Sequence, residues 1–88
     1  MTNVSPGDLS ALDKVWRALP EGHPWCGWAH VASDIDEIWV FRERANWRRF
    51  VLRKTFEGWT LFDDASVTLA NLAKLEDAPD AIASAPSL

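Results

Sequence analysis

Three side chains near the middle of the first half have the types of a soft-metal site. His23, Cys26 and His30 are spaced H-x2-C and C-x3-H. A structural zinc ion takes four protein ligands. The chain has no second cysteine and no third histidine, so an acid would have to complete the set. Cys26, with His23 or His30 and with Asp34 or Asp36, also supplies the residue types of a Cys-His-Asp nucleophilic site. No oxyanion-binding turn is recognisable beside them. Neither a G-x-x-x-x-G-K-[ST] phosphate loop nor a G-x-G-x-x-G turn is present. The carboxylates fall in turns and at expected helix ends, where capping accounts for them. A chain of 88 residues also has little material for a deep pocket. The sequence therefore assigns no catalytic residue, no metal ligand and no cofactor. A small enzyme around Cys26 and His30 is the third of three readings.

The arginines carry the stronger signal. The net charge is −4, but residues 42–54 hold Arg42, Arg44, Arg48, Arg49, Arg53 and Lys54 against a single acid, Glu43. The rest of the chain has three basic residues against twelve acids. An acidic chain is a poor general binder of nucleic acid or anionic membrane, whereas a local basic patch still attracts an acidic surface. Tryptophan is the second anomaly, with six residues and no tyrosine. Large rings fill a small core efficiently, and a ring left outside the core is a candidate contact residue.

These side chains need elements to hold them. Ser5-Pro6-Gly7-Asp8 reads as a helix start, with Ser5 as cap and Pro6 at the first helical position. Leu9, Leu12, Val15, Trp16 and Leu19 then form one apolar stripe, which Pro20 and Gly22 end. A strand over about Gly27 to Ser33 is weakly patterned. Residues 38–62 read as an antiparallel meander. A two-residue loop at Ala45-Asn46 pairs Trp39 with Leu52, Phe41 with Phe50 and Arg42 with Arg49. A turn at Glu57-Gly58 pairs Phe56 with Trp59 and Lys54 with Leu61. Together the two turns put Trp39, Phe41, Phe50, Leu52, Phe56, Trp59 and Leu61 on one face. Asp63, Asp64 and Ser66 suit a helix start, and Leu69, Leu72 and Ala73 supply its stripe. Residues 79–88 are small and non-periodic and read as a disordered tail.

The expectation is one α+β domain over residues 1–78. It has an antiparallel three- to four-stranded meander, with an N-terminal and a C-terminal helix packed on the face that carries Trp39 and Phe50. Helix, three strands, helix is similar in order to double-stranded RNA-binding domains. That resemblance is of topology alone. Those domains present lysines at the start of the second helix, and this chain has Asp63, Asp64 and Ser66 there, so the function is not carried over.

By this register the other face carries Val40, Arg42, Arg44, Trp47, Arg49, Val51, Arg53 and Phe62. Like charges directly opposite one another are destabilising, so a cluster of arginines around a ring points to an external acidic partner. The leading expectation is a small non-enzymatic interaction module, a regulator or inhibitor. It would dock on an acidic protein through Arg42, Arg44, Trp47, Arg49 and Arg53. The alternative is a single-stranded or structured nucleic acid bound on the same face. The N-terminus does not read as a signal peptide, no apolar run is long enough to span a bilayer, and the cysteine is single. Those features set the expectation of a cytoplasmic protein with no membrane partner.

Overall fold

The structure is a computed structural model that describes residues 4–32, 36–42 and 49–86. Helix α1 spans Pro6–Arg17. The Ser5 hydroxyl accepts from the Asp8 amide at 3.1 Å, and the Asp8 carboxylate accepts from the Ser5 amide at 2.9 Å, which completes a capping box. Five strands follow: β1 Trp25–Ala32, β2 Asp36–Arg42, β3 Phe50–Thr55, β4 Gly58–Phe62 and β5 Thr68–Leu72. They form one antiparallel sheet in chain order. A 3-10 turn over Leu75–Asp77 leads into helix α2, Ala78–Ser84. The architecture is α+β, with a helix at each end of the chain and five strands where three to four were expected.

One core joins the helices to one face of the sheet. Leu12 of α1 and Ile82 of α2 are buried with Ile38, Val40, Phe50, Leu52, Trp59, Leu61 and Leu72. Lys54 ties the start of α1 to β3 through Asp8, at 2.6 Å.

The register of β2 against β3 differs from the expectation by one residue. Trp39 lies opposite Val51, and Val40 opposite Phe50. A one-residue slip turns every side chain of a strand over. Ile38 and Val40 are therefore fully buried under the helices, while Trp39 and Phe41 lie outside the core. Ile38-Trp39-Val40-Phe41 is apolar at both parities, so alternation could not choose a face. The compact β-branched pair fills the space beneath the helices, and the larger rings go to the other side. The expected loop at Ala45-Asn46 lies outside the described residues.

Between β3 and β4 the shift is two residues, which preserves the facing. Lys54 lies opposite Trp59 and Thr55 opposite Gly58. Phe50, Leu52, Trp59 and Leu61 point into the core as expected, but Phe56 moves into the turn and is 97% exposed. Gly58 sets this position. Its φ is +146°, and a Cβ there would come within 2.1 Å of the Leu72 carbonyl oxygen. Only glycine allows the end of β5 to pass so close.

The helix expected from Asp63 is replaced by a turn and β5. The Asp63 carboxylate accepts from the Ala65 and Val67 amides, both at 2.9 Å, and Ser66 takes φ 66°. The acid caps a turn rather than a helix. Leu72 and Ala70 then lie opposite Trp59 and Leu61, which covers the edge of β4. The C-terminal helix lies further on, in residues expected to be a disordered tail. Ala78 and Ile82, four apart, are both fully buried. Pro79 sits in the first turn of α2, where its missing N–H costs nothing.

Candidate docking face on the open side of the sheet

The side of the sheet away from the helices is built from alternate residues of the strands. Trp39 pairs with Ala29 on one side and with Val51 on the other; Val51 in turn pairs with Phe62. Phe41 lies opposite Gly27. Trp39, Phe41, Val51 and Phe62 all lie outside the core cluster; Val51 is buried, and Trp39, Phe41 and Phe62 are partly exposed.

Two arginines lie on these rings. The Arg49 guanidinium sits 3.8 Å from the centroid of the Trp39 ring, and that of Arg53 sits 5.0 Å from the centroid of Phe62. Both are cation–π arrangements. Glu37 links the two pairs. One of its carboxylate oxygens accepts from the Trp39 indole N–H at 2.9 Å, and the other accepts from Arg53 Nε at 3.1 Å. Glu37 thus fixes the indole plane on which Arg49 lies. Arg53 is neutralised within the fold. Arg49 is not: its Nε is buried without a hydrogen-bond partner, and no acid among the described residues pairs with it.

The slip in β2 moves Arg42 off this face. It reaches the helix side, where its guanidinium donates to the carbonyls of Ile82 at 3.0 Å, Ala85 at 2.6 Å and Pro86 at 2.9 Å. The Ile82 carbonyl also accepts from the Ala85 amide at 3.4 Å, Ala85 is the cap of α2 and Pro86 follows it; a cation at this end complements the negative end of the helix dipole. Arg42 also lies 4.8 Å from the Phe50 ring centroid. The expected opposition of Arg42 and Arg49 is therefore absent. The structure brings together Arg49 and Arg53 from the expected set. Arg44 and Trp47 lie outside the described residues.

Trp39 and Glu37 were not expected in this site. Once β2 is turned over, both fall on the open face. The sequence signal for Glu37 was its i, i+2 relation to Trp39, which places the two on the same side of a strand.

The residues considered for catalysis or metal binding are engaged separately. His23 Nδ1 accepts from the Trp25 amide at 3.1 Å. The Cys26 thiol donates to the Phe41 carbonyl at 3.4 Å. His30 Nε2 pairs with Asp36, which also accepts from the Val4 amide at 2.9 Å. The hydrogen bond from His30, with that of the Val4 amide, holds the Asp36 carboxyl below the usual range against the opposing effect of burial. Asp8 is also lowered. Burial pushes it up, and the hydrogen bonds from Lys54 and Ser5, with the Lys54 charge, outweigh that. A hollow of about 320 Å³ between the end of α1 and β1 is lined by His23 and Cys26 but not by His30. Among the described residues no group of three His, Cys, Asp or Glu side chains converges as a metal site.

No family model, curated protein or solved structure matches this chain. No described helix is long and apolar enough to cross a membrane.

Proposed function

We propose that the protein is a non-enzymatic interaction module, a small cytoplasmic regulator or inhibitor that docks on an acidic protein surface through the open face of its sheet. The observation that carries this reading is Arg49. It is stacked on Trp39, lacks an acid among the described residues, and has one nitrogen already stripped of water without a partner. A partner carboxylate meeting its remaining N–H groups forms a charge-assisted, bidentate pair. The partly exposed rings of Phe41 and Phe62 add apolar area beside that point, of the kind found around a binding hot spot.

Two features favour a protein over a nucleic acid. The chain is acidic overall, which opposes a long polyanion. The two rings near the arginines already carry guanidinium groups, whereas a single-strand platform offers bare rings to bases.

The test compares the intact protein with Arg49→Glu. The partner isolated from the native cell should bind the first and lose the second, with the circular dichroism spectrum of the variant unchanged. A mixed-sequence single-stranded DNA is the second probe. DNA binding that falls with salt at a log–log slope of about −0.7 per phosphate contact, and that Arg49→Glu abolishes, would replace this reading with the nucleic-acid one.

A further inference from the structure

An acid sits among the arginines of the open face. Glu37 on β2 accepts from Arg53 Nε on β3 at 3.1 Å with one carboxylate oxygen, and from the Trp39 indole N–H at 2.9 Å with the other. Thr60 and Asn71 continue the same row across β4 and β5, and they are paired with each other at 3.1 Å. This row of the sheet is therefore satisfied within the fold. Arg49 differs, since no acid among the described residues pairs with it.

The positions of the two arginines make that difference matter. Arg49 lies on Trp39 and Arg53 lies by Phe62. These rings flank Val51 from β2 and from β4, so they stand two strand spacings apart, roughly 10 Å. One carboxylate cannot bridge that gap, whereas successive phosphates of a single strand can. A polyanion gains affinity with each cation it reaches. To recruit Arg53 it would have to displace Glu37, whose side chain is 16% exposed. That would strand a carboxylate and an indole N–H away from most of the solvent, which is costly. A pair this sheltered is also screened by salt less than a surface pair.

We propose that Glu37 sets the selectivity of the open face. By holding Arg53 and the Trp39 indole it leaves Arg49 as a site for a single carboxylate and turns extended polyanions away. This rests on the docking function proposed above and names Glu37 as its specificity-determining residue.

Mixed-sequence single-stranded DNA serves as the polyanion probe and acetate as the carboxylate probe. Glu37→Gln keeps the shape of the side chain and removes its charge. The variant should bind the DNA about tenfold more tightly than the parent, with a log–log salt slope steeper by about 0.7, the increment of one phosphate contact. The gain should vanish when Arg53 is also replaced, in the double variant Glu37→Gln with Arg53→Gln compared with Arg53→Gln alone. A mere change of net charge gives the same gain in both backgrounds. Titration of the unmodified chain with acetate, followed by NMR, needs no variant. The guanidinium resonances of Arg49 should shift while those of Arg53 stay in place.

No gain in DNA binding from Glu37→Gln overturns the proposal, and so does an equal gain with and without Arg53. Acetate that shifts Arg53 as much as Arg49 also overturns it. The docking function is judged separately. It fails when Arg49→Glu retains the partner isolated from the native cell, whatever the ratio of DNA affinities.

Discussion

Replacing Arg42 by methionine tests how α2 is held. The substitution keeps most of the side-chain stem and removes the donors that reach the carbonyls of Ile82, Ala85 and Pro86. A hydrogen bond involving a charged group contributes about 1.5–3 kcal/mol when buried. The three share one partly exposed guanidinium, so they are not additive, and the expected total is about 2–3 kcal/mol. For a domain of this size that is a fall in Tm of about 10–20 °C. The loss should pass through α2. Ile82 is fully buried, and Ile82→Ala alone should cost about 2–4 kcal/mol. With α2 already loosened, Arg42→Met should cost less than in the parent, leaving a coupling of about 1 kcal/mol in a double-mutant cycle followed by thermal or urea unfolding. A cost within about 0.5 kcal/mol, the range of an ordinary surface change, would refute the capping role. So would strict additivity with Ile82→Ala.

Phe56→Asn should leave stability unchanged or raise it slightly in urea unfolding, because the ring is 97% exposed and asparagine suits the turn. Gly58→Ala should lower stability by more than about 1 kcal/mol by the same assay, since the φ of +146° and the nearby Leu72 carbonyl both oppose a Cβ. Asp8 and Asp36 have carboxyls lowered from 3.8 in the folded state, so their contribution is fully present above that value. It should be lost as pH falls below 3.8 through the lower folded values, and Asp8→Asn should flatten that limb of the Tm–pH curve. Trp39→Ala should weaken partner binding by about 2 kcal/mol, measured by calorimetry, because it removes the ring under Arg49.

Legibility of the fold tracked how far each pattern was one-sided. The α1 stripe and its cap were plain, because Ser5, Pro6 and Asp8 fit a helix start and few alternatives. Phe50, Leu52, Trp59 and Leu61 were placed inward correctly, since the two-residue slip in their hairpin preserves parity. Ile38 to Phe41 had no polar position to break the tie, and there the side was misread. Asp63 and Asp64 were read as helix caps, but the same carboxylate chemistry serves a turn, and the unpaired edge of β4 decided between them. Ala78 and Ile82 were overlooked because a seven-residue helix has room for one apolar turn only. For the site, Arg49, Arg53, Val51 and Phe62 were read on the correct face. Trp39, Glu37 and Arg42 all depended on the β2 register.

That register is the point on which the docking face rests, and cross-strand NMR contacts measure it directly. Backbone proton contacts should pair Trp39 with Val51 and Val40 with Phe50, and the Arg49 side-chain protons should be shifted upfield by the indole ring. Contacts pairing Trp39 with Leu52 and Phe41 with Phe50, with Arg49 at ordinary shifts, would bury Trp39 and remove the proposed site.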